Sequence, residues 1–208
     1  MSWFMSAIYD RFMANVEEAC LRAWRADLLG SLSGSVLEIG AGTGANLRHY
    51  PSSVTRLVMT EPDRHMLEKL RARAGVEAPP GSELVAVSSD VLPFSDATFD
   101  AVVSTLVLCS VRDPRATLSE LRRVLKPGGA LVYLEHVAAD DRPDRLAWQR
   151  RIEPVWKHVA GNCHLTRRTA DVIRESGFTV EREHRESMRK AMFFTRPTVR
   201  GIARKPID

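Results

Sequence analysis

The 208-residue sequence predicts an α/β fold built on a mostly parallel sheet with helices on both faces. Short aliphatic runs alternate with amphipathic stretches from residue 36 to residue 135, and the first run ends in a glycine loop. Strands joined through helices lie parallel, and the helices cover both sides of the sheet.

Each element has its own signal. Ile8, Phe12, Val16, Ala19, Cys20, Ala23, Trp24 and Leu28 recur at helical spacing, and Gly30 with Ser33 and Gly34 stops that helix. Strands are predicted over 36–40 and 56–61, then a helix from about 64 to 73 and a turn at Pro79, Pro80 and Gly81. A third short strand, 84–88, ends at Asp90, and the turn Ser95, Asp96, Ala97 introduces a fourth over 99–105. A charged amphipathic helix, 115–125, is closed by Lys126, Pro127, Gly128 and Gly129 before a fifth strand over 130–135. Beyond it Leu146, Trp148, Ile152, Val155, Trp156 and Val159 predict a helical stretch bent or broken at Pro154. Another helix follows Thr166 as N-cap and ends at Gly177. Two closing strands are read over 178–183 and 192–202, with Pro197 moving the last toward a sheet edge.

Composition narrows the classes. A chain of this length with 44% hydrophobic residues has the size of one domain with a substantial core. No run approaches the roughly eighteen apolar residues of a membrane span. The first 32 residues carry Asp10, Arg11, Glu17, Glu18, Arg22 and Arg25, too many charges for a secretory signal. Cys20, Cys109 and Cys163 are odd in number and widely separated, which argues for a reducing, cytoplasmic setting. They form no metal-type pair; Cys163 beside His164 is the nearest approach, and no metal is expected. The net charge of +4 is concentrated in a basic tail from Arg182 to Lys205. No aromatic ladder accompanies it, so nucleic acid is disfavoured. The tail reads as a solvated surface, with a weak membrane-surface contact as its other use.

The loop is Gly40, Ala41, Gly42, Thr43, Gly44, with Glu38 two places before it. Glycines there let backbone approach a ligand where a side chain would clash. A helix over 46–50 would present free N–H groups to an anion. The pattern suits a dinucleotide or S-adenosylmethionine equally. Ligands on parallel sheets sit at the carboxyl ends of the strands, which gathers 40–44, Glu61, Asp90, 105–110, Glu135 and His136 on one rim. Glu61, before Pro62, is placed to accept from ribose hydroxyls of either cofactor. Asp90, before Val91, is placed for an adenine amino group.

Order and spacing carry a resemblance. The glycine loop, Glu61, Asp90, the turn Leu92, Pro93, Phe94 with Phe99 and Asp100, and Leu125, Lys126, Pro127, Gly128, Gly129 together resemble a class I S-adenosylmethionine-dependent methyltransferase across about residues 35–136. The resemblance implies a Rossmann-like, seven-stranded sheet with the last strand antiparallel, an N-terminal helix and a helical insert after strand five acting as lid. It divides a single domain, 1–208, into a helical lid (1–34), a cofactor-binding core (35–136) and substrate-side helices with closing strands (137–208). A narrower likeness follows from the run Thr105 to Val111, the run Glu135 to Ala139, and Cys163, His164, Leu165, Thr166, Arg167. These are similar to the methyltransferase-like 7 group, the membrane-associated thiol methyltransferases of animals, and to their soluble bacterial relatives. From the charged first residues, no counterpart of the animal proteins' apolar N-terminal anchor is expected.

By this resemblance Glu38, Gly40, Gly42, Gly44, Glu61, Pro62, Asp90, Val91, Thr105 and Leu106 hold S-adenosylmethionine, which leaves as S-adenosylhomocysteine; Tyr9 of the N-terminal helix is placed to close over the cofactor, with ordinary packing as its other reading. His136 is the candidate catalytic base and His164 a second; a structural, hydrogen-bonded role suits His136 as well. Cys109 reads as a small buried cysteine. Trp148, Trp156 and Phe12 are candidates for an apolar acceptor pocket or for ordinary core. The acceptor implied is a small molecule, a thiol by the narrower likeness. N- or O-methylation of a phospholipid, quinone or natural product is the alternative, and a cofactor-binding module without turnover is another. The oligomeric state is open.

Overall fold

The computed structural model describes residues 13–207; Ile8, Tyr9 and Phe12 lie outside the described residues. A π-helical turn (Glu17–Leu21) runs into α1 (Arg22–Leu29), and the sheet begins with β1 (Gly34–Ile39). There follow β2 (Val54–Thr60), α2 (Arg64–Glu77), β3 (Glu83–Val85), β4 (Phe99–Thr105), α3 (Pro114–Val124) and β5 (Leu125–His136). The chain ends with α4 (Pro143–Val159), α5 (Thr169–Glu175), β6 (Thr179–Ser187) and β7 (Pro197–Arg204).

The seven strands lie in the order β3-β2-β1-β4-β5-β7-β6. Strand β1 pairs in parallel with β2 on one side and β4 on the other. It is a central strand, and a separate apolar cluster packs on each of its faces, which explains why it reads as a continuous apolar run. Val36 packs with Leu57, Val103 and Val132 beneath Leu21, Leu28 and Leu29 of the N-terminal helical segment. Leu37, one residue on, faces the other way and packs with Val102, Leu131, Leu118 of α3 and Ile173 of α5. Strand β7 runs antiparallel to both β5 and β6, as the resemblance implies. The winding reverses between β1 and β4, so a crevice opens above their carboxyl ends.

Caps fix where two helices begin. The Asp63 carboxylate accepts from His65 N at 3.0 Å and Met66 N at 3.1 Å, and Asp113 accepts from Arg115 N at 2.9 Å with Pro114 in the first turn. Each satisfies donors that the helix start leaves open.

Several sequence expectations are corrected. The helix expected over 46–50 is a single 3-10 turn, Leu47–His49, because Asn46 turns inward to bond Glu38 and Thr105. Strand β3 stops at Val85, as an edge strand held only opposite Val58–Thr60. The Lys126 to Gly129 run is not a separate turn but a bulge within β5. Phe99 pairs with Leu125 and Ala101 already with Ala130, while Lys126 Nζ reaches Asp100 Oδ1 at 2.7 Å. Helix α4 is unbroken at Pro154, which lies on its exposed face. Thr166 is not an N-cap: α5 starts at Thr169, and Thr166 instead donates its backbone N–H and hydroxyl to Glu153 Oε2 at 2.8 and 2.7 Å. The last strand starts at Pro197, because Phe193–Thr195 forms a 3-10 turn.

Candidate active site

A cavity of about 950 Å³ occupies the crevice at the carboxyl ends of β1, β2, β4 and β5. Its floor is the glycine loop. Gly40, at φ +56°, lies against Val107, where a Cβ would sit 2.7 Å from a Val107 methyl. Gly42, at φ +59°, is different: a Cβ there would meet nothing closer than a backbone oxygen at 4.0 Å, and the space belongs to the cavity. The loop thus offers bare backbone to a ligand.

Glu61, at the end of β2, closes one side. Its Oε2 accepts from Gly42 N and its Oε1 from Asp63 N, both at 2.9 Å. Burial raises this carboxyl, and the N–H groups of Asp63 and Gly42 oppose the rise. Pro62, Asp90, Thr105 and Leu106 also line the cavity. Leu106 holds a left-handed φ of +60°, pinned by its N–H to Leu134 O at 2.7 Å, a strained turn at a ligand site. Val91 is 76% exposed and does not line the cavity, whereas Asp90 and Ser89 do.

Under the loop lies a buried polar network. Glu38 accepts from Tyr50 Oη at 2.7 Å and from Asn46 Nδ2 at 2.8 Å. Burial pushes its carboxyl up to about 7 against those hydrogen bonds and the nearby Arg25 charge. Arg25 of α1 is itself buried, paired with Glu17 at 3.0 Å, and donates to Asn46 Oδ1 at 2.7 Å and Thr105 Oγ1 at 3.0 Å. The sequence reading missed Arg25 and Asn46. The signal for Arg25 was a guanidinium one residue after Trp24 in an otherwise apolar stripe.

The far end of the cavity carries His136, Cys109 and Cys163, all buried and all lining it. His136 Nε2 lies 2.6 Å from Cys163 Sγ, and Cys163 Sγ lies 3.9 Å from Cys109 Sγ. Hydrogen bonding with Cys109, joined by the charge of His136, holds the Cys163 thiol well below the usual range, while the same contact and burial push Cys109 up. Burial lowers the His136 imidazole, but Cys163, Glu135 and Glu153 outweigh it and raise the ring. Glu135 shapes this end: its carboxylate accepts from Ser104 Oγ at 2.7 Å, Val107 N at 3.1 Å and Cys109 N at 3.3 Å. His136 thus stands where the sequence put it, at the rim, though its Nδ1 has no hydrogen-bond partner. His164 does not line the cavity; its ring Nδ1 lies 3.2 Å from Glu153. Trp156 lines the cavity, whereas Trp148 is half exposed and off it. Tyr9 lies outside the described residues.

The arrangement fits a nucleoside cofactor: an uncovered glycine, a carboxylate on the next strand held by that glycine's N–H, and open space above both. Fold and site together define a class of α/β methyltransferases. A model described as "Methyltransferase domain" matches residues 37–133. Human thiol S-methyltransferase TMT1A is 32% identical over 82% of this chain and 70% of its own length. Human thiol S-methyltransferase TMT1B is 40% identical over 70% of the chain, which spans only 60% of that protein. The solved N-methyltransferase NodS of Bradyrhizobium japonicum shares the fold, with a TM-score of 0.65 at 20% identity over 94% of this chain and 97% of that one. The chain belongs to the class I S-adenosylmethionine-dependent methyltransferases. Among the described residues, no helix is long and apolar enough to cross a membrane.

Proposed function

We propose that this protein transfers the methyl group of S-adenosylmethionine to the sulfur of a small thiol. The observation that carries the reading is one continuous cavity with the glycine loop and Glu61 at one end and Cys109, His136 and Cys163 at the other. Similarity to the TMT1 thiol S-methyltransferases supports the choice of sulfur. The cofactor supplies a methyl group already activated on a sulfonium. Gly42 and Glu61 hold its nucleoside by backbone approach and ribose hydrogen bonds, and Asp90 takes the adenine side. Glu38, Asn46, Arg25 and Thr105 order the floor beneath its amino-acid end. The remaining task is to bring an ionised sulfur in line with the methyl carbon and keep water out. The acceptor is a small, partly apolar molecule that meets Trp156, Met188 and Met192 on the cavity wall. Its S–H is ionised at the corner formed by Cys109, His136 and Cys163.

The lid, core and closing segments act as one domain in a cytoplasmic enzyme. The test is S-adenosylhomocysteine release with alkyl and aryl thiols, hydrogen sulfide, phenols, amines and phosphatidylethanolamine vesicles. Release confined to thiols and lost in Glu61→Ala supports the reading. Release only with vesicles, phenols or amines overturns it in favour of the alternative acceptors. Cofactor binding with silence across the panel overturns it in favour of a binding module.

A further inference from the structure

The corner that ionises the acceptor is made of soft donors, and their spacing is specific. Cys109, His136 and Cys163 each offer one ligand atom, and the three atoms lie within 4.8 Å of one another. They come from three separate segments: the loop after β4, the end of β5 and the loop after α4. Linear spacing conceals the set, since 26 or more residues separate each donor from the next.

The geometry can be compared with that of a metal. Two thiolates on tetrahedral zinc, at about 2.3 Å each, stand roughly 3.8 Å apart. Cys109 and Cys163 stand 3.9 Å apart. That is nearly twice a disulfide bond length of about 2.05 Å. The imidazole is drawn closer to Cys163, at 2.6 Å. Replacing the shared proton with zinc lengthens that contact to about 3.6 Å, as a Zn–N bond of about 2.0–2.1 Å and a Zn–S bond of about 2.3 Å require.

The surroundings hold the donors in place. The Cys109 N–H is fixed by Glu135, and Cys109 O accepts from His164 N at 2.8 Å. Asn162 Nδ2 donates to Ser110 O at 2.8 Å, lacing the two cysteine loops together, and Asn162 itself is held at φ +66°. Arg167 donates to Leu108 O and Val111 O, both at 2.6 Å, and brings a positive charge to balance the sulfurs.

We propose that Cys109, His136 and Cys163 bind one Zn²⁺ whose fourth position opens into the cavity and takes the acceptor sulfur. Two thiolates and an imidazole match zinc's preference for sulfur and nitrogen, and a three-ligand set leaves the open position of a catalytic site. When the acceptor binds, its S–H bond breaks, a Zn–S bond forms, and the proton leaves to solvent. The metal site stands on the geometry; its use in fixing a thiol rests on the function proposed above.

The test reads metal without turnover. Protein purified without a histidine tag or chelator is analysed for zinc, then reconstituted with Co²⁺ for its thiolate charge-transfer and tetrahedral d–d bands. One zinc per chain is expected in the wild type and in Cys20→Ser, and loss of it in Cys109→Ser and in Cys163→Ser. Folding of each variant is checked by S-adenosylhomocysteine binding. The cobalt spectrum of the wild type tests the site directly should both variants misfold. Zinc content unchanged in both folded variants overturns the proposal, as does a wild type without a cobalt–thiolate band or with Cys109 and Cys163 joined as a disulfide. Benzyl mercaptan should shift the d–d bands when S-adenosylhomocysteine is present; an unmoved spectrum overturns the acceptor role. Failure of thiol methylation itself would appear separately, as an intact metal signature without S-adenosylhomocysteine release from S-adenosylmethionine.

Discussion

Arg25 and Thr105 are 80 positions apart in sequence, yet the Arg25 guanidinium donates to Thr105 Oγ1 at 3.0 Å. This contact ties α1 to the end of β4, directly beneath the cavity. Arg25 is 4% exposed and is satisfied by Glu17, Asn46 and Thr105 together. Arg25→Ala should therefore destabilise the protein by about 3 kcal/mol, because it strands Glu17 and Asn46. Thermal unfolding should move down by roughly 6–12 °C for a chain of this size. Arg25→Lys keeps the charge but loses the planar fork and should fall between the two. Equal stability of all three proteins in urea unfolding would remove the keying role.

Gly40 and Gly42 share a backbone conformation but not a neighbourhood, and this separates folding from binding. Both have positive φ, so alanine at either costs about 1–2 kcal/mol in backbone strain. At Gly40 the added Cβ also meets Val107 at 2.7 Å, whereas at Gly42 it enters open cavity. Gly40→Ala should therefore lose more stability. Gly42→Ala should stay folded but bind S-adenosylhomocysteine at least about tenfold more weakly, as a displaced contact of 1.4 kcal/mol requires. Calorimetric titration of both variants is the check; unchanged affinity in Gly42→Ala would mean that the ligand does not lie on this glycine.

Glu61 is the carboxylate expected to meet the ribose, and it already accepts from Gly42 N and Asp63 N. Hydrogen bonds to a charged group contribute about 1.5–3 kcal/mol each. Glu61→Gln keeps an acceptor toward the loop but loses the charge and one acceptor oxygen, so affinity for S-adenosylhomocysteine should drop by about tenfold or more. A dissociation constant equal to that of the wild type would place the ribose elsewhere.

The parts of this architecture written locally were legible, and the parts assembled across the chain were not. The strand entering the glycine loop is a continuous apolar run because an apolar cluster packs on each face of β1, and the amphipathic stretch 115–125 marked α3. Glu61 and His136 could be placed on the rim because that rule needs only strand ends, which β2 and β5 supply. The Cys109, His136 and Cys163 set was invisible, since no spacing links residues that meet only where the loops after β4 and α4 come together at the end of β5. Val91 was misplaced because β3 ends at Val85 and the following segment leaves the ladder, so strand alternation no longer predicts which side faces the cavity. Thr166 was read as a cap from its residue type, but the half-buried Glu153 carboxylate takes its donors instead.

Glu38 gives the pH prediction. Its carboxyl stands at about 7 in the folded protein against an ordinary 4.5, chiefly through burial. A raised acid pKa means that the native state binds the proton more tightly than the unfolded chain. The stability this brings is fully present below about pH 4.5 and is lost as pH rises through about 7. Glu38→Gln cannot ionise, and its amide keeps an oxygen to accept from Tyr50 or Asn46. Whatever its stability at low pH, the variant should gain on the wild type by about 3 kcal/mol between pH 4.5 and 8, at 1.36 kcal/mol per pKa unit. Other groups titrate alike in both proteins and cancel in the difference. Parallel urea unfolding curves across this range are the measurement. A difference flat with pH would show that Glu38 is ionised throughout, its charge stabilised by Arg25 more strongly than burial opposes it.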